Sequence, residues 1–117
     1  MSVLLEDTSP PEQGIVNFNV HREVHIIVSA TDAKRRVSVY VGDTIADLLH
    51  GESPTLVLYE KASYWRVPVV LSSRSYGRIG IVGHLDVDVV TGDIQLHQSN
   101  LQEIRTNAQR LAVGAAL

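Results

Sequence analysis

His84, Asp86 and Asp88 stand two residues apart, and Leu85 and Val87 between them put all three on one side of a strand. An imidazole beside two carboxylates has the makings of a metal centre or of general acid–base work. Alternate residues on one strand, however, lie about 7 Å apart, too wide to close a shell of bonds near about 2 Å without help. Three of the other four histidines, His21, His25 and His97, are the obvious further nitrogen donors. The first two would pair on a helix, but the local pattern is strand, which sets them about 13 Å apart. The spacing therefore favours polar side chains on the solvent face of an amphipathic strand.

Other residues suggest binding. Ser72, Ser73 and Ser75 surround Arg74 and precede Arg78, a set of donors suited to an anion and equally suited to the polar loop of a hairpin. Tyr64 and Arg66 flank Trp65, residue types that anchor protein interfaces. Gly77, Gly80 and Gly83 match neither the dinucleotide nor the P-loop spacing, and the chain has no cysteine nucleophile and no G-x-S-x-G elbow. No catalytic residue, metal ligand or cofactor is assigned. The binding candidates are Tyr64, Arg66, Arg74, Arg78, His84, Asp86 and Asp88.

The elements that must position them centre on residues 64–94. Trp65, Val67, Val69 and Leu71 alternate with polar positions, as do Ile79, Ile81, Leu85, Val87 and Val89 after a glycine-containing break. Two strands of a hairpin follow, with a third strand at Ile94 and Leu96 after the tight turn Thr91-Gly92-Asp93. Residues 55–61 make the preceding strand. Pro68 cannot donate to a ladder, so its side of the strand must face an edge or a bulge, and the three glycines mark bends or close backbone approach. Residues 15–29 form one strand or a hairpin turning near His21-Arg22-Glu23.

Residues 31–51 show a helical stripe of Ala33, Val37, Tyr40, Val41, Ile45, Leu48 and Leu49, capped by Thr31 and ended by Gly51. The alternative is a strand over 36–41 and a short helix over 44–50. Leu101, Ile104, Ala108, Leu111 and Ala112 predict a C-terminal helix, with Ser99 or Asn100 as cap and Glu103 completing a capping box. The expected class is α+β, an antiparallel sheet of four to five strands with two helices on one face. Residues 1–14, with Pro10-Pro11, form a flexible arm before a single domain over 15–117.

With 117 residues, no cysteine and a net charge of −3, the chain is one domain without a disulfide framework or a basic field. Nucleic acid is an unfavoured partner. The first residues carry neither a positive nor an apolar leader region, and the expectation is a soluble cytoplasmic protein with no membrane contact.

The Trp65-Arg66-Val67 strand and the element Val87-Asp88-Val89-Val90-Thr91-Gly92-Asp93-Ile94 resemble the PepSY domain pattern, over roughly residues 31–96. That resemblance implies an inhibitory or regulatory module, although such domains are mostly secreted or membrane-linked. The functional expectation is a non-catalytic protein-interaction or regulatory module; the alternative is a small metal-dependent enzyme using His84, Asp86 and Asp88. A homodimer is also expected, from the edge that Pro68 implies and from an apolar patch of Tyr64, Val70, Val82 and Val90.

Overall fold

The computed structural model describes residues 3–5, 14–18 and 22–115. Its frame is a long antiparallel hairpin of β6 (Ser63–Ser73) and β7 (Gly77–Asp88), with Trp65 opposite Val87, Val67 opposite Leu85 and Val69 opposite Gly83. The loop Arg74–Tyr76 closes it. There Ser73 Oγ accepts the Tyr76 N–H at 3.0 Å, and Gly77 takes a φ of +67° that a side chain would resist.

Around this hairpin the sheet runs β1 (Val3–Leu5), β5 (Thr55–Leu58), β6, β7, β8 (Ile94–Gln95), every pair antiparallel. A sixth strand, β4 (Leu49–Gly51), pairs with β6 beyond the end of β5. Helices α1 (Ala30–Thr44) and α2 (Gln98–Gly114) cover one face, where Ala33, Val37, Val41 and Ile104 join Trp65, Val67, Val69, Leu71, Leu85 and Val87 in one core. This is the expected α+β class, with both helices on one side. No helix among the described residues is long and apolar enough to cross a membrane.

The segment at 15–29 is a hairpin of β2 (Gly14–Phe18) and β3 (Arg22–Ile26) that forms its own two-stranded sheet. Val24, Ile26 and Val28 are buried in the main core. Val89 O accepts both the Ile27 N–H at 2.9 Å and the Val28 N–H at 2.8 Å, and the Trp65 indole donates to Val28 O at 2.7 Å. The hairpin is thereby fixed to the sheet at its exit, where the chain turns into α1.

Pro68 sits in the middle of a central strand, and the gap between β5 and β4 explains how. Arg66 pairs with Thr55 and Val69 with Gly51, which leaves Pro68 at the break between the two shorter strands. Its carbonyl accepts the Glu52 N–H at 2.9 Å, so its ring nitrogen points the same way, into the break where no ladder donor is needed. The irregularity that the proline demands is therefore a discontinuity in the neighbouring strands.

Two bulges on β7, at the register shifts beside Val69/Val70 and Leu71/Ser72, change which residues face the core. Ile81, expected inside by simple alternation, is 57 % exposed, whereas Val82 is turned inward and 1 % exposed. Val70 is fully buried as well, so the expected exposed patch of Tyr64, Val70, Val82 and Val90 does not exist. The glycines serve close approach: a Cβ on Gly83 would stand 2.7 Å from Ile104 Cγ1, and one on Gly80 would stand 3.2 Å from Leu111 Cδ1. Helix α2 lies against β7 because those two positions carry no side chain.

The helices differ from expectation at their ends. α1 starts earlier, with Ser29 as N-cap accepting the Asp32 N–H at 3.0 Å, and it stops at Thr44 rather than continuing to Gly51. Gly42, Asp43 and Thr44 are weak helix formers, and Leu49 gains more by pairing opposite Leu71 inside the sheet. Gly51 is a strand residue that lets β4 approach α1, its N–H donating to Ser38 Oγ at 2.9 Å. α2 begins after His97, which makes no side-chain cap, so the expected capping box on Asn100 and Glu103 is not the helix start. Of the expected arm over 1–14, Val3–Leu5 pairs with β5 and Gly14 opens β2; residues 6–13 lie outside the described residues.

The Gly83–Ile104 contact can be measured as a coupling. Ile104→Ala should cost about 2–5 kcal/mol and Gly83→Ala about 1–3 kcal/mol in urea unfolding. The double variant should cost clearly less than their sum, because the second change makes room for the first. Additive losses would place the new methyl elsewhere.

Candidate binding face

The face of the sheet away from the helices carries the residues singled out from the sequence. Tyr64, Arg66 and Pro68 on β6 lie opposite Asp88, Asp86 and His84 on β7. Arg66 and Asp86 are cross-strand partners, and the pair closes in two parallel bonds, Nε to Oδ1 at 2.9 Å and Nη2 to Oδ2 at 3.0 Å. Nη2 also donates to the Tyr59 hydroxyl at 3.1 Å, and the Tyr59 ring meets Tyr64 edge to face with centroids 5.7 Å apart. The Asp86 carboxylate beside it holds the Arg66 guanidinium protonated even more firmly than usual.

Tyr59 reaches this position because the chain between β5 and β6 is short: its N–H donates to Ala62 O at 2.9 Å, closing the turn. Tyr59, Tyr64, Asp86, Lys61, Gln95 and His97 surround a hollow of about 330 Å³. An edge-to-face aromatic pair stands beside an acid and a base already bonded to each other, and one lysine and one histidine border the rim.

Asp88 has a separate task. Its Oδ1 accepts the N–H groups of Val90 at 2.8 Å and Thr91 at 3.0 Å, while its own carbonyl accepts the Gly92 N–H at 2.9 Å. It shapes the turn that brings β8 back. Gly92, with φ +81°, lies under the Arg36 guanidinium of α1, whose Nη1 donates to Gly92 O at 3.2 Å. Any side chain at 92 would be strained and would strike that group.

Among the sequence candidates, Tyr64, Arg66 and Asp86 are gathered, and His84 is exposed on the same face. Arg74 and Arg78 are at the other end of the hairpin. Arg74 is exposed in the loop, and Arg78 pairs with Glu52 at 2.8 Å, which holds that carboxyl below its ordinary range. Ser72 pairs opposite Arg78 in the ladder, and Ser73 Oγ accepts the Tyr76 N–H that closes the loop. His25 is exposed on β3, and His21 lies outside the described residues. Among the described residues no three His, Asp or Glu side chains are placed to hold a metal ion.

Tyr59 and Lys61 escaped the sequence reading, although their position at the end of a predicted strand facing Tyr64 was the available signal. The charged group Asp32, Arg35 and Arg36 on α1 escaped too. Its i, i+3 and i, i+4 spacing signals mutual pairing, and Asp32 does bond both arginines, with Arg36 Nε at 2.7 Å.

The two aspartates expected to be solvated are both engaged, which predicts a rank order. Asp86→Ala strands a half-buried guanidinium and should cost about 1–2 kcal/mol after solvent screening, and Asp88→Ala about 1 kcal/mol through two lost turn bonds. His84→Ala should stay within about 0.5 kcal/mol. Urea midpoints decide it; three equal, negligible losses would return both carboxylates to solvent. No family model matches the chain, and neither a curated protein nor a solved structure matches it.

Proposed function

We propose that this chain is a non-catalytic protein-interaction module that self-associates as a homodimer in the cytoplasm and binds protein rather than nucleic acid or membrane. The observation that carries the reading is the Arg66–Asp86 pair on the open face. An acid and a base bonded to each other in two places are withheld from proton transfer and from metal ligation, and their worth lies in shape and charge presented beside Tyr59 and Tyr64. Asp88 commits its Oδ1 to its own turn. A regulatory role of the kind that the PepSY resemblance implies would use the same face, covering a partner's surface.

Two measurements test this. Thermal unfolding should be unchanged by EDTA and by added zinc, calcium or magnesium, and a rise of several degrees with one metal would instead support a metal-dependent enzyme built on His84, Asp86 and Asp88. Equilibrium sedimentation at micromolar concentration should return the mass of two chains. A single-chain mass that persists as concentration rises would remove the homodimer.

A further inference from the structure

The homodimer leaves open which surface the two copies share. α1 offers one on which two copies can meet about a twofold axis. Along its exposed flank stand Asp32, Arg35, Arg36, Val39, Tyr40 and Asp43, and a twofold axis passing between Val39 and Tyr40 carries Arg36 to the level of Asp43 and Val39 to the level of Tyr40. Arg36 and Asp43 are seven residues apart, two helical turns or about 10.5 Å along the axis.

The charges within one chain are unbalanced in the complementary sense. Asp32 serves two arginines, so that group carries a surplus positive charge, and the Arg35 side chain remains 74 % exposed. Asp43 is exposed and has no ion pair among the described residues. Between these ends Val39 is 57 % exposed in mid-helix, beside half-buried Tyr40 and Ile94. They border an open hollow of about 510 Å³ between α1 and the turn into β8. A helix laid antiparallel on this flank would put apolar against apolar at the centre and opposite charges at both ends.

We infer that the homodimer forms by antiparallel packing of α1 against α1 of a second copy, with Val39 and Tyr40 at the twofold and Arg35 and Arg36 facing the partner's Asp43. This rests on the self-association proposed above and names its surface. An isologous contact requires that a residue meeting its counterpart be met by it in return, and the Arg36–Asp43 spacing satisfies that condition twice per dimer.

Sedimentation equilibrium of wild type, Val39→Glu, Asp43→Arg, Arg35→Glu and the double variant Arg35→Glu/Asp43→Arg provides the test. Each single change should weaken the dimer about tenfold or more, and the double change should restore part of the loss, since the introduced acid meets the partner's introduced base across the axis while Arg36 is unchanged. All positions altered are exposed, so thermal melts at low protein concentration should be close to wild type and serve as the folding control. A wild-type chain that stays monomeric overturns the homodimer itself. A wild-type dimer that Val39→Glu and Asp43→Arg leave unchanged overturns this surface alone, and weakening in the single variants without recovery in the double overturns the charge register.

Discussion

The Trp65 indole bonded to the Val28 carbonyl is the contact on which the rest of the architecture depends. A buried indole needs an acceptor, and the one it finds belongs to the short link between the β2–β3 hairpin and α1. With Ile27 and Val28 both donating to Val89, that link is held at the end of the sheet, and three consequences follow together. The hairpin's Val24 and Ile26 are delivered to the core, Ser29 is set where it can cap α1, and α1 is aimed along the face that Trp65 itself lines. Together with those two backbone bonds, the indole N–H ties the β2–β3 hairpin and the start of α1 to the sheet.

The period-two alternation of residues 64–94, the third strand after Thr91-Gly92-Asp93 and the stripe of the last helix were legible in the sequence, because each records burial on one face only. The same rule misplaced Ile81 and Val82. A bulge adds one residue, reverses the phase of all that follows, and leaves no mark in composition except glycines nearby. The end of α1 was illegible for another reason: Leu49 suits a helix stripe and a strand equally, and only the vacancy beside β6 past the end of β5 decides between them. Thr31, Asn100 and Gly51 looked like caps, but the caps are set by where the backbone turns.

On the candidate face the sequence located the right side chains and missed their relations. Arg66 and Asp86 lie 20 positions apart, and nothing local says that they face each other; the pairing follows from the β6–β7 register. Tyr59 is drawn in by a turn of ordinary composition. The carboxylates that alternation assigns to solvent are instead bonded, one to a guanidinium and one to its own backbone, since a sheet face without a helix above it still buries what its neighbours can cover.

The bulges of β7 bear on how the molecule keeps company. Beyond its short pairing with β8 at Asp86 and Val87, the outer side of this long strand has no neighbour among the described residues, and such edges invite further strands without limit. Here Ile79 and Val82 each interrupt the even spacing of donors and acceptors, and Asn107 of α2 reaches down to take the Val82 carbonyl at 2.9 Å. An incoming strand would find no regular row to bond. The irregularity that hides Val82 from solvent also makes this edge of the sheet a poor template for growth into a fibre.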